Sequence, residues 1–465
     1  MIVRRTTRWL DDRLRASSFA RTALDKVFPD HWSFMLGEIA LYCFVILVLT
    51  GIYLSFFFVP SSRDIAYRGT YLPLRGVDVS EAYASVLRIS FEVRAGMVFR
   101  QMHHWAALVF VAAIVLHLCR IFFTGAFRRP REINWIIGVT LLLLAILNGF
   151  TGYSLPDDLL SGTGLRIAYS VALSIPAVGT WLAFLVFGGE FPAHDIISRL
   201  YVIHIFLVPA ALAALISIHL ALIWRQKHTQ FPGPGRTATN VVGSRLWPTY
   251  AVKSVALFFA VGSVVGLLGG LAQINPIWLY GPFVPHAVSS PAQPDWYLGW
   301  LEGALRLFPP WEIRAFGHTV ANPFFPTVLL PGVTFLLLYL WPFLEQRVTG
   351  DRAHHDLLDR PRYRPVRTGL GAATLTFYVV LFVAASNDVI AKLFRVPVTE
   401  VTWVFRILVL VLPPVVGFGV YRFMRGAVMT GAGSLLEVPF SAVARSRPSS
   451  DGKGPEKAET QEVRT

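Results

Sequence analysis

The sequence predicts an all-α integral membrane protein of eight transmembrane helices. Three observations predict it: the chain is 54% hydrophobic with only 15% charged residues, apolar runs of about 18 residues or more recur along it, and its basic residues collect between alternate runs. The runs fall at about 34–58, 97–124, 133–155, 198–224, 248–271, 325–342, 369–387 and 404–424. Each is long enough for a helix to cross a hydrocarbon core of about 30 Å at 1.5 Å per residue.

The net charge of +14 would fit a nucleic-acid partner, but its distribution excludes one. Arg4, Arg5, Arg8, Arg13, Arg15, Arg21 and Lys26 precede the first span. Arg128, Arg129 and Arg131 follow the second, and Arg225, Lys227, Arg236 and Arg245 follow the fourth. Arg347, Arg352, Arg360, Arg362, Arg364 and Arg367 follow the sixth. By the positive-inside rule these segments face the cytoplasm, so both termini are expected inside a cell membrane. The opening stretch is too polar before residue 34 for a cleavable signal peptide.

Organisation follows from the spans. Residues 1–33 form a cytoplasmic N-terminal segment, and 34–230 hold the first four helices. Residues 231–247, in the polar stretch RQKHTQFPGPGRTATNVVGSR, are a cytoplasmic linker. Residues 248–425 hold the last four helices and a long outward loop, 272–324, rich in Pro, Trp and Phe. Residues 426–465 are Ser-, Gly-, Lys- and Glu-rich, a composition of disordered tails.

The most informative pattern lies in the first half. His103 and His117 are 14 residues apart in the second span, and His204 and His219 are 15 apart in the fourth. Those spacings are roughly 21 and 22 Å along a helix and return to within roughly 40–60° of the starting face. Alternate spans run parallel, so His103 meets His204 near the outer surface and His117 meets His219 near the cytoplasm. One such histidine would be an ordinary core residue; four in matched pairs have the geometry of two bis-imidazole haems stacked across a bilayer. Gly37 and Gly51 in the first span, and Gly138 and Gly152 in the third, repeat the 14-residue period and let the neighbouring helices recede. Arg100, Arg120 and Arg199 stand on the aqueous side of their histidines, where haem propionates would need cations. His104 faces away from His103 and reads as packing. The only cysteines, Cys43 and Cys119, lie inside spans. With no C-x-x-C-H or four-cysteine pattern, covalent haem and iron–sulfur clusters are excluded, and any further electron carrier belongs to a partner.

At these residues the sequence resembles cytochrome b of the cytochrome bc complexes, over roughly residues 30–425. The family's R-x-x-H…H-x-x-R helix is present as Arg100, His103, His117 and Arg120, and its third-span ending as Gly152-Tyr153-Ser154-Leu155-Pro156. Gly164, Ile175-Pro176 and Gly179-Thr180 follow at family spacing. The outer-loop signature appears as Pro294-Asp295-Trp296-Tyr297, with Arg306 beyond it. The 15-residue second pair and RQKHTQFPGPG look like the actinobacterial branch, whose quinone is typically menaquinone.

The resemblance implies a quinol:cytochrome c reductase subunit with two non-covalent b haems and two quinone sites. Asp295 would take a quinol proton at the outer site, with Tyr297, Tyr153, Gly164, Pro294, Trp296 and Arg306 around it. One electron would go to a Rieske-type iron–sulfur subunit and a c-type cytochrome. The other would cross through both haems to an inner quinone, coupled to proton translocation. A homodimer is implied, and a terminal oxidase is left open as a further partner. Asp295 replaces the usual Glu, and Ser254 stands beside Lys253 where many members have Asp. The inner proton donor is therefore open between Glu38 and His228. Two competing classes fit less well: a secondary transporter, which expects broken helices related by internal symmetry, and a dihaem dehydrogenase anchor, which needs neither eight helices nor the P-D-W-Y loop.

Overall fold

Among the described residues, eight helices of transmembrane length form where the apolar runs predict them: Trp32–Ser55, Gly96–Thr124, Glu132–Ser154, Ile196–Gln226, Leu246–Leu271, Phe325–Thr349, Pro365–Ala384 and Val398–Gly426. The structure, a computed structural model, describes residues 6, 9, 11–13, 15–191, 193–287, 293–315 and 317–429. The polar tail lies, beyond Met429, outside the described residues.

The spans end where backbone chemistry ends them. The second starts after Ala95 in the left-handed region and stops at Gly125, φ 63°, a conformation glycine adopts without Cβ strain. Pro209 withholds an amide and crowds the carbonyl of Ile205. The fourth span answers with a π-helical turn over Ile203–Leu207.

Consecutive spans alternate in direction, which gives the bundle two faces. The basic face carries the residues before the first span and the connections 125–131, 227–245 and 350–364. The opposite face carries the other connections and their short helices: Glu81–Phe91, Leu159–Leu173, Gly179–Phe187, Gly299–Leu307 and Asn387–Phe394. Ser80 starts the first of these by accepting from Tyr83 N at 3.2 Å. Asp158 starts the second by accepting from Leu160 N at 3.0 Å and Ser161 N at 3.3 Å.

The two halves share one core. Val261 and Val265 of the fifth span pack with Ala40, Cys43, Phe110 and Leu142 of the first three. The sixth span docks on the third, where Trp135 Nε1 donates to Leu338 O at 2.6 Å. The seventh and eighth pack through Val380, Leu381, Ala384, Val401 and Phe405. The N-terminal segment is stitched to the linker by a two-residue antiparallel pairing of Val27–Phe28 with Ser244–Arg245.

On the basic face, buried ion pairs join the connections. Asp359 Oδ2 accepts from Arg367 Nη1 at 2.8 Å and Arg364 Nε at 3.0 Å, and lies 3.1 Å from Arg128 Nη2. Arg367 Nε also donates to Glu345 at 2.9 Å. Arg367→Leu would leave Glu345 and Asp359 without their central cation, a loss of about 3–5 kcal/mol for a broken buried pair. The expected result is a fall of several degrees in the temperature at which the solubilised protein loses its fold. Burial alone would raise the Asp359 pKa, but Arg128, Arg364 and Arg367 outweigh it and hold it below the ordinary value. Stability from this group is therefore complete above the unfolded carboxylate value of about 3.9 and is lost as pH falls below it.

Candidate functional site

The four histidines meet as two pairs. The rings of His103 and His204 have centroids 6.1 Å apart with planes at 69°, and those of His117 and His219 have centroids 6.5 Å apart at 71°. His103 Nδ1 is 2.9 Å from Thr50 Oγ1, whose own proton goes to Ile46 O at 2.7 Å. Nδ1–H of His103 must therefore be the donor. His204 Nδ1 likewise donates to Asn148 O at 2.9 Å. Both rings of this pair are thus fixed with Nδ1 protonated, leaving Nε2 with a free lone pair, the form that ligates a metal.

The 15-residue spacing of the second pair is reconciled with the 14-residue spacing of the first by the π-helical turn that contains His204. A π turn accommodates one extra residue, so His204 and His219 face one side of their helix.

The glycines stand against the rings themselves. A Cβ on Gly51 would lie 3.2 Å from His103 Cε1, and one on Gly37 would lie 3.2 Å from His117 Cε1. On Gly152 it would overlap the His204 ring, and on Gly138 it would sit 3.9 Å from His219 Cε1. Two layers result, Gly51–His103–His204–Gly152 toward the opposite face and Gly37–His117–His219–Gly138 toward the basic face.

The residues fit a haem in each layer. Two metal–imidazole bonds of about 2 Å each, extended by the ring radii, span about 6 Å between ring centres, and both pairs stand at that separation. A cavity of about 400 Å³ opens beside His117 and His219. Arg120, which lines it, has buried Nε and Nη2 atoms with no hydrogen-bond partner, and so has Nη1 of Arg100 beside the other layer. Buried N–H groups without acceptors are costly, and a bound carboxylate such as a haem propionate would satisfy them. Arg199 is placed elsewhere: it is exposed and donates to Leu185 O at 2.9 Å.

Toward the opposite face lies a second cavity, about 240 Å³, lined by Phe150, Tyr153, Gly164, Pro294, Leu298 and Glu302 among others. Tyr153, Gly164 and Pro294 are the residues the sequence assigns there. Asp295, next to Pro294, is not among the residues lining this cavity; His104 holds its carboxylate, with Nε2 2.9 and 3.0 Å from the two oxygens. The buried Tyr297 donates to Asp295 Oδ2 at 3.2 Å. Trp296 packs against the shared core. Arg306 pairs with Glu302 at 2.7 Å and Asp388 at 2.8 Å, anchoring the Gly299–Leu307 helix.

Around the opposite-face cavity, two residues escape the sequence reading. His104 is not packing: it is the hydrogen-bond partner of Asp295, from a residue 191 positions away. Its adjacency to His103 hides it, because neighbouring helical residues point about 100° apart. Glu302 lines the cavity as a carboxylate, and its spacing to Arg306, four residues on, was the available signal.

At the basic face, Glu38 and His228 both line the 400 Å³ cavity. Ser254 Oγ donates to Glu38 Oε2 at 2.9 Å, whereas Lys253 turns outward to Asp30 at 2.9 Å.

Fold and site together define a class: a multi-pass membrane cytochrome whose two histidine pairs have the separation that would fit haem. The family profile described as cytochrome b (N-terminal)/b6/petB matches residues 108–282. The chain is 57% identical over 418 residues to the cytochrome bc1 complex cytochrome b subunit of Mycobacterium tuberculosis, covering 90% of this chain and 76% of that one. It is 51% identical over 414 residues to the subunit of the same name from Streptomyces coelicolor, covering 89% and 76%. In fold it is similar to a chain of a hyperthermophilic respiratory complex III, with TM-score 0.66 at 21% identity, covering 89% of this chain and 99% of that one. The chain belongs to the cytochrome b subunits of cytochrome bc1 complexes. It is accordingly a haem b-binding membrane protein of respiratory electron transport, one subunit of a quinol:cytochrome c reductase.

Proposed function

We propose that this subunit oxidises quinol at the opposite-face cavity and passes one of its two electrons through two b haems to a quinone at the basic face. The basic face is cytoplasmic in this reading, and both termini lie there. The observation that carries it is the pair of histidine layers, one toward each face, the basic-face layer opening into the larger cavity and the other lying near the smaller. A haem held by His103 and His204, and another by His117 and His219, would supply one-electron transfer.

The chain's own residues bind, orient and move protons. Apolar walls around Tyr153 and Gly164 receive the quinol ring. Asp295, aimed by His104 and Tyr297, accepts one of the two protons that quinol loses on giving up two electrons. The second electron leaves for a Rieske-type iron–sulfur subunit and then a c-type cytochrome, because both cysteines of this chain are within spans. Menaquinol as the donor and a homodimeric assembly belong to the same proposal, on the resemblance of the chain to the actinobacterial branch.

The ligand assignment is tested by counting haems in single variants. His103→Ala or His204→Ala is expected to lose one haem per chain, and His117→Ala or His219→Ala the other. Pyridine haemochrome spectra measure this, and an unchanged count in any of the four overturns the assignment.

A further inference from the structure

We propose that Glu38 is the carboxyl that protonates quinone in the basic-face cavity, with the hydroxyls of Tyr42, Tyr250 and Ser254 holding its proton in readiness. The inference rests on the reading of that cavity as a quinone site.

Glu38 stands near the start of the first span, half-buried, and lines the cavity together with Tyr250, His117 and Arg120. Tyr250 and Ser254 approach from the fifth span. Tyr250 OH donates to Glu38 Oε1, Ser254 Oγ donates to Oε2 at 2.9 Å, and Tyr42 OH lies 3.3 Å from the same Oε2. Tyr42 OH and Ser254 Oγ also touch each other. Those are four contacts, but three hydroxyls hold only three protons. A proton on Oε2 completes the set: Glu38 donates to Tyr42, Tyr42 to Ser254, and Ser254 back to Glu38, while Tyr250 still serves Oε1. The cluster thus has a hydrogen-bonded place for one more proton, at the mouth of a cavity that reaches the histidine layer.

His228, the other candidate on this wall, does not suit the task. Burial first, then Lys26, Arg131 and Arg120, push its pKa down to about 4, so at neutral pH it is an uncharged imidazole without an acidic proton. Its ring packs against Phe28, centroids 4.5 Å apart, and Phe28 stacks on Tyr250 at 4.2 Å. It can donate a hydrogen bond to a quinone oxygen but not supply the proton.

Access to water lies one residue away. Lys253, next to Ser254, is exposed and reaches Asp30 at 2.9 Å, and Asp30 also accepts from Ser244 Oγ at 2.7 Å. In the proposed step the Glu38 O–H bond breaks and an O–H bond forms on a quinone carbonyl oxygen as electrons arrive from the adjacent haem. Quinone gains two electrons and two protons in all. Glu38 supplies one proton and is reprotonated from water on the Asp30 side; the second enters from the same water.

The test uses the assembled membrane complex. Glu38→Gln keeps the shape and accepts hydrogen bonds but cannot release a proton. After a quinol pulse, reduction of the b haems is expected within twofold of wild type and their reoxidation by quinone at least tenfold slower. In the infrared difference spectrum of quinone reduction, a carboxyl C=O band present in wild type is expected to vanish. The paired exchange Glu38→Ser with Ser254→Asp returns a carboxyl to the same place from the fifth span, and is expected to restore at least half of the reoxidation rate and a carboxyl band. Wild-type reoxidation with an unchanged infrared spectrum in E38Q overturns the proposal. If E38Q fails to assemble, the exchange variant decides: assembled but slow and bandless, it overturns the proposal too. Failure of added quinone to reoxidise the reduced b haems in wild type would instead sink the cavity's reading as a quinone site.

Discussion

With a haem in each histidine layer, as proposed, Gly152→Ala is expected to cost the protein the haem of the His103–His204 layer and leave the other in place. The added methyl would lie 2.9 Å from both ring nitrogens of His204 and closer still to Cε1. The ring has little freedom to retreat, since its Nδ1 is held by Asn148 O at 2.9 Å and Thr151 Oγ1 stands 3.3 Å away. Overpacking a filled core costs about 1–3 kcal/mol even where it only displaces side chains; here the displaced side chain is the proposed ligand. The four glycines should therefore rank. Gly37→Ala and Gly51→Ala, each 3.2 Å from a ring carbon, are expected to keep both haems with a shifted absorption band or potential. Gly138→Ala, at 3.9 Å, is expected to match wild type. Haem-to-protein ratios and redox-titrated visible spectra of the four variants check the order. Two haems in Gly152→Ala, or one in Gly138→Ala, would refute it.

That ranking marks where the sequence stops being legible. All four glycines share one 14-residue period and are indistinguishable in sequence; their clearances depend on how closely each pair of helices approaches. The same holds for the histidines. Their pairing follows from helix direction and period alone, but the 15-residue spacing becomes intelligible only with the π turn at Ile203–Leu207. Pro209 advertises a disturbance there without specifying its form. Span ends were blurred by charge. Hydropathy stops the sixth span at 342, yet the helix continues to Thr349, because Glu345 is paired with Arg367 of the seventh. The seventh begins four residues earlier than the apolar run suggests for the same reason. Arg120 and Arg199 look alike on paper, each beside a ligand; only the first points buried, unpartnered donors at a cavity, while the second caps Leu185. Contacts between distant segments carry no periodic signature, and His104 with Asp295 is the plainest example.

That contact makes the second large effect testable. Asp295→Asn is expected to slow quinol oxidation by about a hundredfold, within the range for loss of a positioned general base, while both haem spectra stay unchanged. Asparagine keeps the volume and can still meet His104 and Tyr297, but it cannot take up a proton. His104→Leu should act through the same carboxylate. It removes the donor at 2.9 and 3.0 Å and leaves Asp295 to Tyr297 alone, at 3.2 Å, so a loss of about tenfold is expected from misaimed geometry. If His104 works only by orienting Asp295, its removal matters only while the carboxylate is functional. The double variant should then be no slower than Asp295→Asn, the non-additivity of groups acting as one unit. Rapid-mixing measurement of haem reduction by quinol, before any turnover at the basic face, isolates this step. A double variant slowed by the product of the two single effects would show that His104 contributes by a separate route, and a fast Asp295→Asn would remove the carboxylate from the proton path altogether.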